Sequence, residues 1–307
     1  MSKIYYFGYP TPTTGGDVLN IEHVTTLQDC GFPAQMVYPG PRAEHEKLPR
    51  NSIPLEEAPF SEKDYLVIPE NDASLFRSAR AVSSRVIIHN LNTYYFLGTI
   101  GSLGELDRNK FDTVICASGV SAKLLVDAGY AGSVHVIHPG LPDYFVPAKK
   151  QLRITFAPGK LPVESAAVMG AFRQMFPQHA SIEWCPVMNL ERRELAKVLS
   201  ESAVYAAFCN LESLSLSILE AMKSGCIVVG DYGGGGAEYA TKRNGMWVRA
   251  DDIVEFSKKV SEAVELFLRD GENNRLSAEG MRAAQQFSSG NFREQLTAFW
   301  STRCVNR

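Results

Sequence analysis

Short runs of apolar, β-branched and aromatic residues recur along the chain, separated by stretches whose apolar positions repeat every three to four residues. The first pattern is that of a buried strand and the second that of an amphipathic helix, so their alternation predicts α/β layers built on parallel sheets. Ile4–Phe7 opens as a strand. A loop from Gly8 to Gly16 follows, and a helix begins at Asp17, carries Leu19, His23 and Leu27 on one stripe, and stops at Gly31. Ala34–Val37, Tyr65–Ile68, Val86–His89, Thr113–Cys116 and Val134–Ile137 read as further strands, with helices over Ala73–Arg80 and Ser121–Ala128.

The rhythm breaks twice. Pro39 to Ser61 holds five prolines and many charges, and reads as a long loop, either a tolerated surface insertion or a functional one. His138-Pro-Gly-Leu-Pro-Asp143, continued by Phe145-Val-Pro147 and Lys149-Lys150, reads as a linker. The alternation then restarts: strands over Ile154–Ala157, Ile182–Cys185, Val204–Phe208 and Cys226–Val229, helices over Val163–Phe176, Leu190–Leu199 and Ser215–Lys223, and helical patterns from Asp252 to Trp300. The expected organisation is an N-terminal α/β domain (1–145), a second such domain (146–288) and a terminal helix (289–307).

Composition narrows the function more by exclusion than by assertion. The 307 residues, 45% hydrophobic and 21% charged, suffice for two cores. A net charge of −3 supplies no global basic field for nucleic acid or anionic lipid, although a local basic face is not excluded. Six cysteines without a C-x-x-C pair point to a reducing compartment. The polar N-terminus is no secretory signal, and no apolar run approaches the ~20 residues that span a bilayer. A cytoplasmic protein, at most peripheral to the inner membrane, is expected. The six histidines show no H-x-x-x-H spacing and no Asp-x-Asp pair is convincingly placed, so no metal site is expected.

The densest chemical signal runs from Asn210 to Gly230. A strand ends near Asn210, a turn carries Glu212, and a helix begins near Ser215 with Leu216, Leu219 and Met222 on one stripe. Such a layout points the helix's first amides into the crevice beyond the strand ends, where a diphosphate fits. Glu212 and Glu220 can reach different hydroxyls of one ligand. On spacing alone they read more readily as an ordinary loop acid and a solvated helix residue.

Glu212-x7-Glu220 followed by Ala-Met-x-x-Gly resembles the E-x7-E segment of retaining glycosyltransferases of family 4, which have the GT-B fold. The resemblance extends in order along nearly the whole chain: Pro12-Thr-Thr-Gly15-Gly16-Asp, Phe111–Ser118, Val134–Phe145, Gly233-Gly-Gly-Gly-Ala-Glu238, and Asn244-Gly245 with Trp247-Val248. It implies two Rossmann-like domains facing across a cleft, an N-terminal one on the acceptor side and a C-terminal one binding a nucleotide-sugar. The last helix, with Phe292, Leu296 and Trp300, would return to the N-terminal domain. It further implies metal-independent transfer of a sugar with retention, no cofactor beyond the donor, and a UDP- or GDP-linked sugar as that donor. A glycan, a lipid-linked glycan or another molecule would accept the sugar, in polysaccharide biosynthesis by default. A homodimer is left open.

The roles implied are residue by residue. Glu212 would hold hydroxyls of the transferred sugar, helped by the backbone at Ser213, Leu214, Ser215 and Leu216, and Glu220 would bind the ribose. His89 would face the donor sugar, Gly15 and Gly16 would admit the diphosphate, Lys160 would grip it, and Val187 and Met188 would pack near the base. The chain departs from the pattern at Lys160, which stands for an arginine, at Ser165, which replaces a second cation, at Ser213-Leu-Ser-Leu216, and at Asn90, where an aspartate is usual. Those departures admit a degenerate GT-B domain that binds a nucleotide or a partner protein without turnover; a sugar-nucleotide epimerase on the same fold is a third reading. Tyr94-Tyr-Phe96 is core or, less commonly for such a run, a platform for a sugar.

Overall fold

The computed structural model describes residues 2–9, 15–40, 48–159 and 161–304. The chain divides into two compact units, Met1–Pro139 with Gly290–Arg307, and Gly140–Ser289; the sequence pattern puts the boundaries at 145/146 and 288/289.

Unit 1 contains β1 (Ile4–Phe7), α1 (Gly15–Asp29), β2 (Ala34–Tyr38), β3 (Ile53–Pro54), β4 (Tyr65–Pro69), α2 (Ala73–Ala79), β5 (Arg85–Asn90), α3 (Thr93–Leu103), β6 (Thr113–Cys116), α4 (Gly119–Asp127) and β7 (Ser133–Val136). Its parallel sheet has the order β3-β2-β1-β4-β5-β6-β7. Both faces of the sheet are covered, which is why β1 is apolar at every position. Ile4 and Tyr6 join a core with Val24 and Leu27 of α1, while Tyr5 and Phe7 join the opposite core with Phe76 and Phe96. Asp72, Asn92 and Ser118 cap α2, α3 and α4 by accepting from backbone amides.

Unit 2 contains β8 (Gln151–Phe156), α5 (Pro162–Met175), β9 (Glu183–Pro186), α6 (Arg192–Glu201), β10 (Ser202–Ala207), α7 (Leu216–Lys223), β11 (Ile227–Gly230), β12 (Met246–Trp247), α8 (Ile253–Asp270) and α9 (Arg275–Ala284). Its sheet, also parallel, runs β12-β11-β10-β8-β9. The last helix, α10 (Ser289–Ser301), delivers Phe292, Leu296, Phe299 and Trp300 into the unit 1 core beside Tyr6 and Val24. Lys223, at the end of α7, donates to the carbonyls of Leu141 (2.9 Å) and Pro142 (3.0 Å), fastening the start of the linker to unit 2.

Three local readings change. Helix α1 starts at Gly15 rather than Asp17, which puts Asp17 in the first turn where the helix dipole favours an acid. Tyr94-Tyr-Phe96 lies inside the unforeseen α3: Phe96 is core, Tyr94 half-buried and Tyr95 exposed. Within the proline-rich stretch, Ile53–Pro54 pairs with Val37–Tyr38 as an edge strand, the position where proline is tolerated in a sheet. Among the described residues, no helix is long and apolar enough to cross a membrane.

Candidate active site

In an open parallel sheet, ligands bind beyond the carboxyl ends of the strands where the order reverses. In unit 2 that point lies between β8 and β10, because β9 falls on one side and β10 and β11 on the other. The segment leaving β10 is Phe208 to Ser215, so topology alone puts Glu212 at the switch.

The conformation of this segment is fixed from behind by glycine. The amide of Glu212 donates to the Gly233 carbonyl (2.8 Å) and its carbonyl accepts from Gly235 (2.8 Å). Gly233 and Gly234 take φ of +69° and +82°, which side-chain-bearing residues rarely adopt. A Cβ at Gly235 would be driven into the carbonyl of Ser213. Leu211 is itself left-handed (φ +47°) and exposed, a strained residue of the kind that gathers at functional loops. Ser213, Leu214 and Ser215 are buried under this turn.

Ser215 stands at the N-cap of α7, yet its hydroxyl makes no cap bond. Instead it lies 3.2 Å from both the Cys209 thiol and the Ser217 hydroxyl. The helix start is therefore not closed by its own side chain, unlike α2, α3 and α4.

Glu220 is not a solvated helix residue. It is 5% exposed, between Ile218, Leu219, Ala221 and Met222, all fully buried. A carboxylate in that setting needs a partner. Arg192, the first residue of α6, supplies it: Nε and a terminal nitrogen both donate to Glu220 Oε1, at 3.0 and 2.9 Å. Val187, after β9, is buried, with its amide on the Phe156 carbonyl (2.8 Å), whereas Met188 is 60% exposed. The next loop residue but one from Val187, Asn189, is left-handed at φ +54°.

His89, Gly15 and Gly16 belong to unit 1. His89 is the penultimate residue of β5, on the same side of the sheet as Ile87, and strand alternation turns its ring inward, leaving it 1% exposed. Nδ1 lies 2.7 Å from Asn20 Oδ1 of α1, and the ring sits 4.4 Å, centroid to centroid, from that of His23. His23 Nδ1 in turn lies 3.0 Å from the Tyr6 hydroxyl. Burial pushes the His89 pKa down to about 3 and lowers that of His23 as well, so both rings are neutral at pH 7. Gly15 is exposed, and a Cβ added there meets nothing, so the protein's own packing does not demand glycine at that position.

The family description "Glycosyl transferases group 1" matches residues 166–265. Over 296 residues the chain is 31% identical to the alpha-1,6-glucosyltransferase of Actinobacillus pleuropneumoniae serotype 7 (strain AP76), covering 92% of this chain and 89% of that one. Among solved structures it is similar to Anabaena Alr3699/HepE in complex with UDP-glucose (TM-score 0.72, 13% identity, 98% of this chain and 100% of that one). It is similar also to sucrose-phosphate synthase of Thermosynechococcus elongatus (TM-score 0.70, 13% identity, 98% and 99%). The chain belongs to the group 1 glycosyl transferases.

In this transferase, then, the fold is GT-B and the chemistry is that of a hexosyl glycosyltransferase. Unit 2 carries Glu212, Ser213, Leu214, Ser215, Leu216 and Glu220 on the turn and helix leaving β10. Val187 and Met188 follow β9, with β8 between the two strands. Lys160 lies outside the described residues. Ser165, where the resemblance puts a second cation, is buried in the first turn of α5 with its hydroxyl on the Pro162 carbonyl (3.0 Å). Sequence reasoning missed Arg192 and Asn20. Each meets its partner across a distance in sequence (28 and 69 residues) that no local pattern spans.

Proposed function

We propose that this transferase moves glucose from UDP-glucose to the 6-hydroxyl of a sugar acceptor, with retention and without a metal ion. The relative's name specifies an α-1,6-glucosyl product, and UDP-glucose, named in the Anabaena complex, is an α-glucosyl donor. Going from α to α is retention. The observation that carries the reading within this chain is Glu212 held by the glycine turn at the switch point of unit 2, beside a helix start without a side-chain cap.

In this reading the uncapped amides at Leu216 and beyond, with Lys160, stabilise the departing diphosphate electrostatically. Glu212 holds hydroxyls of the transferring glucose, Glu220 the ribose hydroxyls, and Val187 and Met188 the base. In unit 1, Gly15 and Gly16 keep the first turn of α1 bare for phosphate oxygens, and neutral His89 offers a hydrogen bond without adding charge. The acceptor oxygen attacks C1 from the face the diphosphate leaves. The C1–O bond to phosphate breaks as the new C1–O6 bond forms, and the hydroxyl proton passes to a phosphate oxygen.

The test is transfer from UDP-glucose to a glucose-terminated oligosaccharide in excess EDTA. Undiminished rate is expected; loss of activity that Mg²⁺ or Mn²⁺ restores would contradict the metal-free reading.

A further inference from the structure

Glu220 carries a charge in a place built for apolar side chains, and the structure shows what makes that tolerable. Arg192 brings two N–H donors, Nε and a terminal nitrogen, to Oε1. The pair is largely withdrawn from water, with the two side chains 22% and 6% exposed. The guanidinium is steadied from another side by Phe145, a fully buried ring whose centroid lies 5.9 Å from Cζ. The neighbouring Arg193 lies over Tyr144 at 4.7 Å, so the start of α6 is fastened to residues 144–145 by two arginines. Arg192 thus has a fixed place of its own, and from it pins one carboxylate oxygen of α7.

A carboxylate that grips a vicinal diol must present its oxygens in one plane and stay ionised. Left alone on a buried helix it would do neither: burial favours the protonated form, and rotation about the terminal bond is soft. We propose that Arg192 is a positioning residue for donor binding, holding Glu220 ionised and oriented toward the ribose 2′- and 3′-hydroxyls, so that it sets this enzyme's preference for ribonucleotides. The inference rests on the ribose role of Glu220.

In this role Arg192 acts on the ligand through Glu220, so its loss has a signature that a merely structural defect lacks. Calorimetric titration with UDP and with 2′-deoxy-UDP reads it. The folded wild-type protein is expected to prefer UDP by about tenfold, which corresponds to ~1.4 kcal/mol. Glu220→Gln should remove most of that preference. Arg192→Met, which keeps an unbranched apolar side chain at the position, should reduce it to about threefold or less. Arg192→Lys, with charge but no planar fork, should restore part of it. The variant pair combined should lose no more than Glu220→Gln alone, because both act on one contact. In turnover, Arg192→Met should raise the donor KM more than it lowers kcat.

Should Arg192→Met fail to fold, the Lys variant reads the same ratio. Full ribose preference in a folded Arg192 variant, alongside its loss in Glu220→Gln, overturns the positioning role and leaves the Glu220 reading intact. Full preference in Glu220→Gln overturns both.

Discussion

Glu212 and Glu220 are eight residues apart on one turn and helix, yet the structure gives them different environments, and different environments imply different work. Glu212 sits half-buried on a backbone clamped by glycines. Glu220 is locked to Arg192 in an apolar helix. If Glu220 holds ribose, its contacts are equal in the ground and transition states. Glu220→Ala should then weaken binding of UDP and UDP-glucose alike, by about 1.5–3 kcal/mol for lost charge-assisted bonds. If Glu212 holds the glucose, its contacts matter most as charge develops at C1. Glu212→Ala should lower kcat at least a hundredfold while UDP binding barely changes, since UDP lacks the sugar. Calorimetry with UDP and kinetics with UDP-glucose separate the two; equal loss of UDP affinity in both variants contradicts the assignment.

The buried histidine pair makes a second prediction at this scale. In the unfolded chain His89 titrates near its ordinary value of about 6.5, against about 3 when folded. Between those values the unfolded state binds a proton that the native state refuses. The stability held by neutral His89 is therefore complete above about pH 6.5 and drains away as pH falls toward 3. The loss is at most about 1.4 kcal/mol per pH unit for this group. His23, also lowered, acts in the same direction. Urea unfolding of unit 1 followed from pH 7.5 to 5 should show the decline, and His89→Gln should flatten it. An identical slope in the variant would assign the pH dependence elsewhere.

At the scale of elements, much of the architecture was legible because strands buried on both faces write themselves as unbroken apolar runs. β1, β4, β6, β10 and β11 all do so, and their helices carry clear stripes. What stayed hidden depends on contacts made at long range. The helix α3 was obscured by its opening Thr-Tyr-Tyr-Phe, an aromatic run that reads as core or, less commonly, as a platform; its start is set by the Asn92 side chain accepting from the Tyr94 amide. The short β3 exists only because β2 offers it an edge. In the site, the E-x7-E spacing exposed the two glutamates, but the Arg192 partner of Glu220 and the Asn20 partner of His89 have no local signature.

The glycine turn behind Glu212 shows how one element positions another. Gly235→Ala must push its Cβ against the Ser213 carbonyl and so displace the Glu212 backbone. UDP-glucose turnover should fall at least tenfold. Gly170→Ala makes the contrast: it lies exposed within α5, an added Cβ meets nothing there, and ending a helix-interior glycine should stabilise unit 2 by about 0.5–1 kcal/mol with activity unchanged. Full turnover in folded Gly235→Ala would show that the turn does not position Glu212.

At the scale of the whole molecule, two parallel-sheet units each present the carboxyl ends of their strands as a place for ligands, and the chain passes between them twice, at 139–140 and 289–290. The second passage sends α10 into the unit 1 core, where Trp300 is fully buried, so the terminal residues complete the first unit. Membership in the group 1 glycosyl transferases gives that arrangement its purpose, and the proposed reaction gives it a stereochemical consequence that no binding protein or epimerase shares. The direct test is proton NMR of the reaction of UDP-glucose with a glucose-terminated oligosaccharide. The account predicts that the donor's α-anomeric signal is replaced by that of an α-1,6-glucosidic linkage, formed without a β-linked intermediate product. A β-linked product, or release of UDP with free glucose alone whatever sugar acceptor is supplied, would contradict it.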